Sequence, residues 1–179
     1  MSGHNKWSQI KHKKEITDGK KSKIFSKLVK FISVEARLSG GKDSPGLRSA
    51  IEKAKKVNMP KDIIERAVKK ASDSNVVMEN IMYEAYGPGG VGIIIETLTD
   101  SKNRTAQDVK HILSENGTAF AGIGSVSWAF KKEITPEDGL VWTPTTTIDA
   151  SDEDLILLDK LVEDLEDNDD VQDVFTNAE

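Results

Sequence analysis

Near residue 72 two properties of the chain change together, and the pair limits what it can fold into. Residues 1–72 hold 19 Lys and Arg against 7 Asp and Glu, a net charge of +12; residues 73–179 hold 6 against 23, a net of −17. At the same point the apolar spacing switches from a helical period to β-branched runs. A basic helical half joined to an acidic α+β half is the simplest organisation that satisfies both. The overall net of −5 conceals it.

The helical half reads as three amphipathic segments. Residues 1–19 form a polar, basic arm. From Lys20 to Leu38, Phe25, Leu28, Ile32 and Ala36 share a stripe, with Lys20, Lys23, Lys27, Lys30 and Arg37 on roughly the opposite side. Ser39-Gly40-Gly41 ends that helix. A second runs from Pro45 to about Val57 on Leu47, Ala50, Ile51, Ala54 and Val57. A third has Pro60 in its first turn, buries Ile63, Ile64, Ala67, Val68 and Ala71 and shows Lys61, Lys69 and Lys70 outward. Together they predict a three-helix bundle over 20–72.

Residues 73–80 read as a hinge. In the acidic half, 81–86 and 91–99 predict strands around the Gly87-Pro88-Gly89-Gly90 turn. A helix follows over 103–115, then a third strand over 123–130 and a loop at 135–139. Residues 140–148 are β-rich, with Pro144 at an edge or bend. A helix capped by Asp149 or Ser151 continues to about Asp167, and a last strand covers 171–176. The predicted fold class is α+β: a three-helix bundle followed by a mixed sheet with helices against one face, a sandwich domain over 81–179.

The chain contains no cysteine, which excludes disulfides, thiol chemistry and Cys-ligated metals. No apolar run approaches a membrane span and the first residues lack a signal-peptide pattern, so the expectation is a cytoplasmic protein with no membrane partner. Gly87-Pro88-Gly89-Gly90-Val91-Gly92 fits G-x-G-x-x-G, but it enters a strand instead of opening a helix, so it reads as a hairpin turn. Asp167-Asn168-Asp169-Asp170 lacks the glycine and glutamate of a calcium loop. His4, His12 and His111 have no metal spacing, and no nucleophile elbow or Walker loop is present. The expectation is a protein that is not an enzyme, with no cofactor, metal or small-molecule substrate.

The strongest functional signal is the basic arm and first helix. Lys6, Lys11, Lys13, Lys14, Lys20, Lys21, Lys23, Lys27 and Lys30 lie within 25 residues, with Trp7 and His12 among them. Dense positive charge suits a phosphate backbone, and an exposed ring can stack on a base. Lysines act as point charges, which favours backbone or shape recognition over base reading. Lys61 and Arg37 extend the basic surface. Arg104, at the start of the helix after the second strand, is a candidate phosphate clamp. The expected partner is nucleic acid, DNA or RNA.

Several segments carry a resemblance. They are Gly3-His4-Asn5-Lys6-Trp7 with Ile10-Lys11-His12, Lys23-Ile24-Phe25, and Asn58-Met59-Pro60-Lys61-Asp62 with Ile64-Glu65-Arg66-Ala67. Further on come Tyr86-Gly87-Pro88-Gly89-Gly90, Thr99-Asp100 with Asn103-Arg104-Thr105, Gly124-Ser125-Val126 and Asp169-Asp170-Val171-Gln172. In this order they resemble the YebC/PmpR family, which includes bacterial regulators and mitochondrial translational activators. The resemblance implies a helical first domain, an α+β second domain and nucleic-acid binding. The implied role is transcriptional regulation on promoter DNA or, alternatively, translational activation on the ribosome or mRNA. One departure accompanies it. The family usually inserts a third domain between the strands near Lys131 and Val141, and here a short loop over 132–139 joins segments 81–131 and 140–177.

Overall fold

A computed structural model describes residues 18–71, 76–135 and 139–179. The described chain divides into two compact units. One contains three helices and the tip of a late hairpin. The other contains the main sheet with its two helices.

In the first unit, α1 (Asp18–Leu38) ends where Gly40 and Gly41 take positive φ and the Gly41 N–H reaches back to the Ala36 carbonyl at 2.7 Å. α2 (Pro45–Lys56) starts with the Ser44 hydroxyl accepting the Leu47 N–H and with Pro45 in its first turn. Asn58, at φ 58°, closes α2, and the Met59 N–H bonds the Ala54 carbonyl. α3 (Lys61–Lys70) follows directly after Pro60. Ile32 is wholly buried, and α1 packs against both other helices. Ala36, Ala50, Ala54, Ala67 and Ala71 fill the core around it, and such small side chains let the backbones approach. The Ser33 hydroxyl bonds the Ala67 carbonyl across α1 and α3.

In the second unit, β1 (Glu79–Tyr86) and β2 (Gly92–Thr99) form a hairpin around residues 88–90, with Tyr83 opposite Ile95. The turn needs glycine: Gly89 and Gly90 both have positive φ. β5 (Val171–Thr176) pairs with the other edge of β2, giving the order β1-β2-β5. Central β2 is therefore buried on both faces, which explains Ile93, Ile94 and Ile95 in succession. α4 (Lys102–Glu115) and α5 (Asp152–Glu166) cover the Ile93–Ile95 face through Val109, Leu113, Leu155, Leu158, Leu161 and Leu165. Ser151 caps α5, its hydroxyl accepting the Asp154 N–H. On the opposite face Ile94, Met82 and Phe175 pack under Val126, Phe130 and Trp142. β3 (Phe130–Thr135) and β4 (Gly139–Pro144) form a separate two-stranded sheet.

Three expectations are corrected. Both pairings of the main sheet are antiparallel; the parallel component is one bridge, Ile148 with Ala178. Residues 123–129 are not a strand, and β3 starts at Phe130. The alternation there is real, but the N–H groups of Gly124, Val126 and Ser127 all point at the Glu84 carboxylate and are lost to any ladder. β1 starts at Glu79, two residues before the expected strand and inside the segment 73–80 read as a hinge; residues 72–75 lie outside the described residues.

Candidate nucleic-acid interface

The described helical residues 18–71 hold 15 Lys and Arg against 6 Asp and Glu, a net of +9. Of the expected contact residues, Lys6, Trp7, Lys11, His12, Lys13 and Lys14 lie outside the described residues. Lys20, Lys23, Lys27 and Lys30 follow one line along α1, as their spacing requires. They are half-buried and already take part in interactions, so this is not the fully solvated face that periodicity suggests. Lys21 is exposed. The Arg37 guanidinium donates through Nη1 to the Val76 carbonyl, tying the end of α1 to the segment that leaves the bundle. Lys61 is exposed and pairs with Glu65 at 3.5 Å.

The basic surface extends beyond the expected contact residues. Lys42, in the turn after α1, and Lys69 and Lys70, in the last turn of α3, are exposed with no ion pair among the described residues. Their positions at or beyond a helix C-terminus favour positive charge. Lys53 sits over the Phe31 ring at 5.7 Å, carrying α2's charge over α1. The helical spacing of α3 already turns Lys69 and Lys70 outward, whereas Lys42 and Lys53 stand singly and form no run.

Arg104 occupies a different setting. Its Nη2 donates to Asp100 at 2.8 Å and to Asp170 at 2.9 Å. These bonds, Asp100's first, hold the guanidinium above its ordinary pKa. Asp170, 6 % exposed, also accepts the Thr105 hydroxyl at 2.7 Å. The Ser101 N–H at the start of α4 goes to the Thr99 hydroxyl at 2.9 Å. The structure thus joins two segments 65 residues apart into one network that fastens α4 to the start of β5. Arg104 belongs to the sheet unit, and its charge is already met by two carboxylates.

Glu84 is the other acid that sequence reasoning missed. It is 5 % exposed and accepts N–H groups from Gly124 at 2.7 Å and from Val126 and Ser127 at 2.8 Å each. Burial pushes its carboxyl up, but the Gly124, Ser127 and Val126 N–H groups with the Ser127 hydroxyl outweigh that and leave it below the ordinary glutamate range. Among the described residues no three His, Asp or Glu side chains are grouped to hold a metal ion, and no helix is long and apolar enough to cross a membrane.

The chain matches two family models. Residues 5–74 match the TACO1/YebC protein N-terminal domain. Residues 78–135 and 134–178 match the TACO1/YebC second and third domain, in two segments that meet inside the β3–β4 hairpin. A relative from Petrotoga mobilis is 46 % identical over 184 residues, covering all of this chain and 71 % of its own length. One from Fervidobacterium nodosum is 47 % identical over 176 residues, covering 96 % of this chain and 68 % of its own. Both carry the name "Probable transcriptional regulatory protein". The crystal structure of the conserved hypothetical protein Aq1575 from Aquifex aeolicus superposes with a TM-score of 0.82 at 31 % identity, over 97 % of this chain and 96 % of that one.

Proposed function

This chain belongs to the TACO1/YebC family, and from that premise we propose that it regulates gene expression by gripping the phosphate backbone of a nucleic acid through its basic helical unit and arm. The observation that carries the reading is the net +9 of residues 18–71, spread over a bundle whose core is sealed by apolar residues. The charge is therefore surface charge, directed at a partner instead of at the protein's own interior. No base-reading set of Arg and Asn lies on α3, where Arg66 is held by Asp62 at 2.5 Å. Affinity then comes from counterion release and groove shape more than from sequence. The acidic second unit repels polyanions from its own surface and so favours binding at the basic one. The protein acts by binding and not by catalysis.

Duplex DNA is the target that the relatives' name favours, and structured RNA is the alternative. Both are tested by titrating the full chain with a labelled duplex and with a labelled RNA hairpin over a range of salt concentrations. For duplex DNA, log affinity should fall steeply with log salt, by about 0.9 per phosphate neutralised. Replacing Lys69 and Lys70 with Gln should flatten that slope by up to about 2 without disturbing the fold. A salt-independent affinity, or an unchanged slope in a variant that also carries Gln at Lys20, Lys23, Lys27 and Lys30, overturns the reading. Preference for the hairpin over the duplex moves the target to RNA.

A further inference from the structure

From Asn116 to Phe130 the chain has no charged residue, although 31 % of the whole sequence is charged. This stretch crosses the outer face of the main sheet and is fixed from beneath. The Thr118 hydroxyl donates to the Tyr86 carbonyl, and the Ala121 N–H bonds the Glu84 carbonyl at 2.8 Å. The Glu84 side chain draws in three consecutive-turn N–H groups, and Val126 and Ala129 are buried under the loop. β2 begins with glycine where the loop lies closest: a Cβ on Gly92 would stand 2.8 Å from Val126 Cγ1.

On this fixed base stand apolar side chains turned to solvent. Ile123 is fully exposed, Trp128 is 67 % exposed and Tyr86 46 %. The polar tips of both aromatics point inward to one acceptor. The Ser125 carbonyl takes the Trp128 Nε1–H at 2.8 Å and the Tyr86 hydroxyl at 2.9 Å. What remains outward is ring face and aliphatic surface with no donor of its own left to satisfy. A lone exposed isoleucine means little, but a rigidly mounted group of apolar side chains marks an interaction site. The mounting matters for affinity, because an ordered loop loses little entropy on binding. Tryptophan and tyrosine are also the side chains most enriched at binding hot spots.

We infer that this crown docks a protein surface that offers an apolar socket set in positive charge. A nucleic acid is the poorer fit. The crown has no cation of its own to meet a phosphate; of the two lysines that follow it, Lys131 is exposed and Lys132 lies over the Trp142 ring at 5.2 Å. Residues 73–179 hold 23 acidic against 6 basic residues. Such a field repels a polyanion and draws in a cationic partner.

The test uses the full chain and a labelled amphipathic helical peptide of Lys and Leu, with a Glu/Leu peptide and an oligouridylate as comparisons. The Lys/Leu peptide should bind, more weakly as salt rises. Ile123→Ser and Trp128→Ser should each lower its affinity about tenfold or more. Leu157→Ser, at an exposed site on α5, should leave it unchanged. Both crown side chains are exposed, so these variants should keep the wild-type unfolding curve. The inference is overturned if the Lys/Leu peptide fails to bind, if it binds equally to the crown variants, or if the Glu/Leu peptide binds the crown as well. Crown-dependent binding of the oligouridylate alone overturns it in favour of nucleic acid. Crown-dependent self-association without peptide binding, seen by light scattering, overturns it in favour of a second copy.

Discussion

In the helical unit, Arg66 with Asp62, Lys61 with Glu65 and Lys55 with Glu52 each span one turn of a helix, with every partner well exposed. In the sheet unit, Glu84 and Asp170 are buried and bind segments 40 or more residues away. Exposed pairs contribute about 0.2–1 kcal/mol each and are screened by salt. Buried, fully bonded acids hold the architecture, and removing one side of such a site is costly. The difference teaches where charge is available: on the helices these pairs stand at the exposed surface and are open to screening, and in the sheet unit the decisive charges are turned inward.

The largest test of that contrast is Glu84→Ala. It leaves three N–H groups without their acceptor and should cost the sheet unit about 3 kcal/mol. Urea unfolding followed by tryptophan fluorescence measures it, and amide exchange should quicken over 122–127. A loss below about 0.5 kcal/mol, the scale of a surface pair, would erase the distinction between the two regions.

Acid should separate the units in the same direction. The Glu84 carboxyl lies below its ordinary value of 4.5 in the fold, and Asp164, bonded by Lys160 and then Asn116, lies below 3.8. A lowered folded pKa gives stability that is present above the ordinary value and lost as pH falls through the folded one. The sheet unit should therefore weaken as pH drops below about 4.5, and Glu84→Gln should flatten its pH profile. Thermal unfolding from pH 7 down to 3 reads both, and an unchanged slope in the variant would remove Glu84 from this account.

A smaller effect is expected at Thr105→Val. The change keeps the shape but removes the hydroxyl 2.7 Å from Asp170 and 2.8 Å from Thr99. About 1–2 kcal/mol should be lost. Thr105→Ser should recover most of it, and exchange should rise where β5 begins. A Val variant as stable as the wild type would remove this hydroxyl from the network that fastens α4 to β5.

These residues also show what could be read in advance. The three helices were legible because Ile32, Ala50, Ala54, Ile64 and Ala67 recur at helical spacing and because Gly40, Pro45 and Pro60 mark the ends. The hairpin was legible in Gly89 and Gly90 and in the isoleucine run after them. Glu84 and Asp170 were not, since a single acid in a charge-rich chain has no local signature and its partners come from distant segments. The same blindness misread 123–129 as a strand: its alternation was visible, but the carboxylate that takes its N–H groups lies 40 residues earlier. On α1 periodicity located the line of lysines, yet their half-burial depends on packing that no local pattern encodes.

The smallest prediction is the one most able to break the comparison. Arg66 and Asp62 sit one turn apart on α3, and their side chains are 71 % and 67 % exposed. A double-mutant cycle of Arg66→Gln and Asp62→Asn should give a coupling of about 0.3–0.5 kcal/mol at low salt, vanishing at about 1 M. The corresponding cycle at Lys160 and Asp164 on α5 should give slightly more, because Asp164 also accepts Asn116 at 2.9 Å and is less exposed. If the α3 pair instead couples by more than about 1.5 kcal/mol and survives high salt, its geometry is fixed as firmly as a buried site. Charge on the helical unit would then be committed to its own fold, and the outward field that the nucleic-acid reading relies on would shrink accordingly.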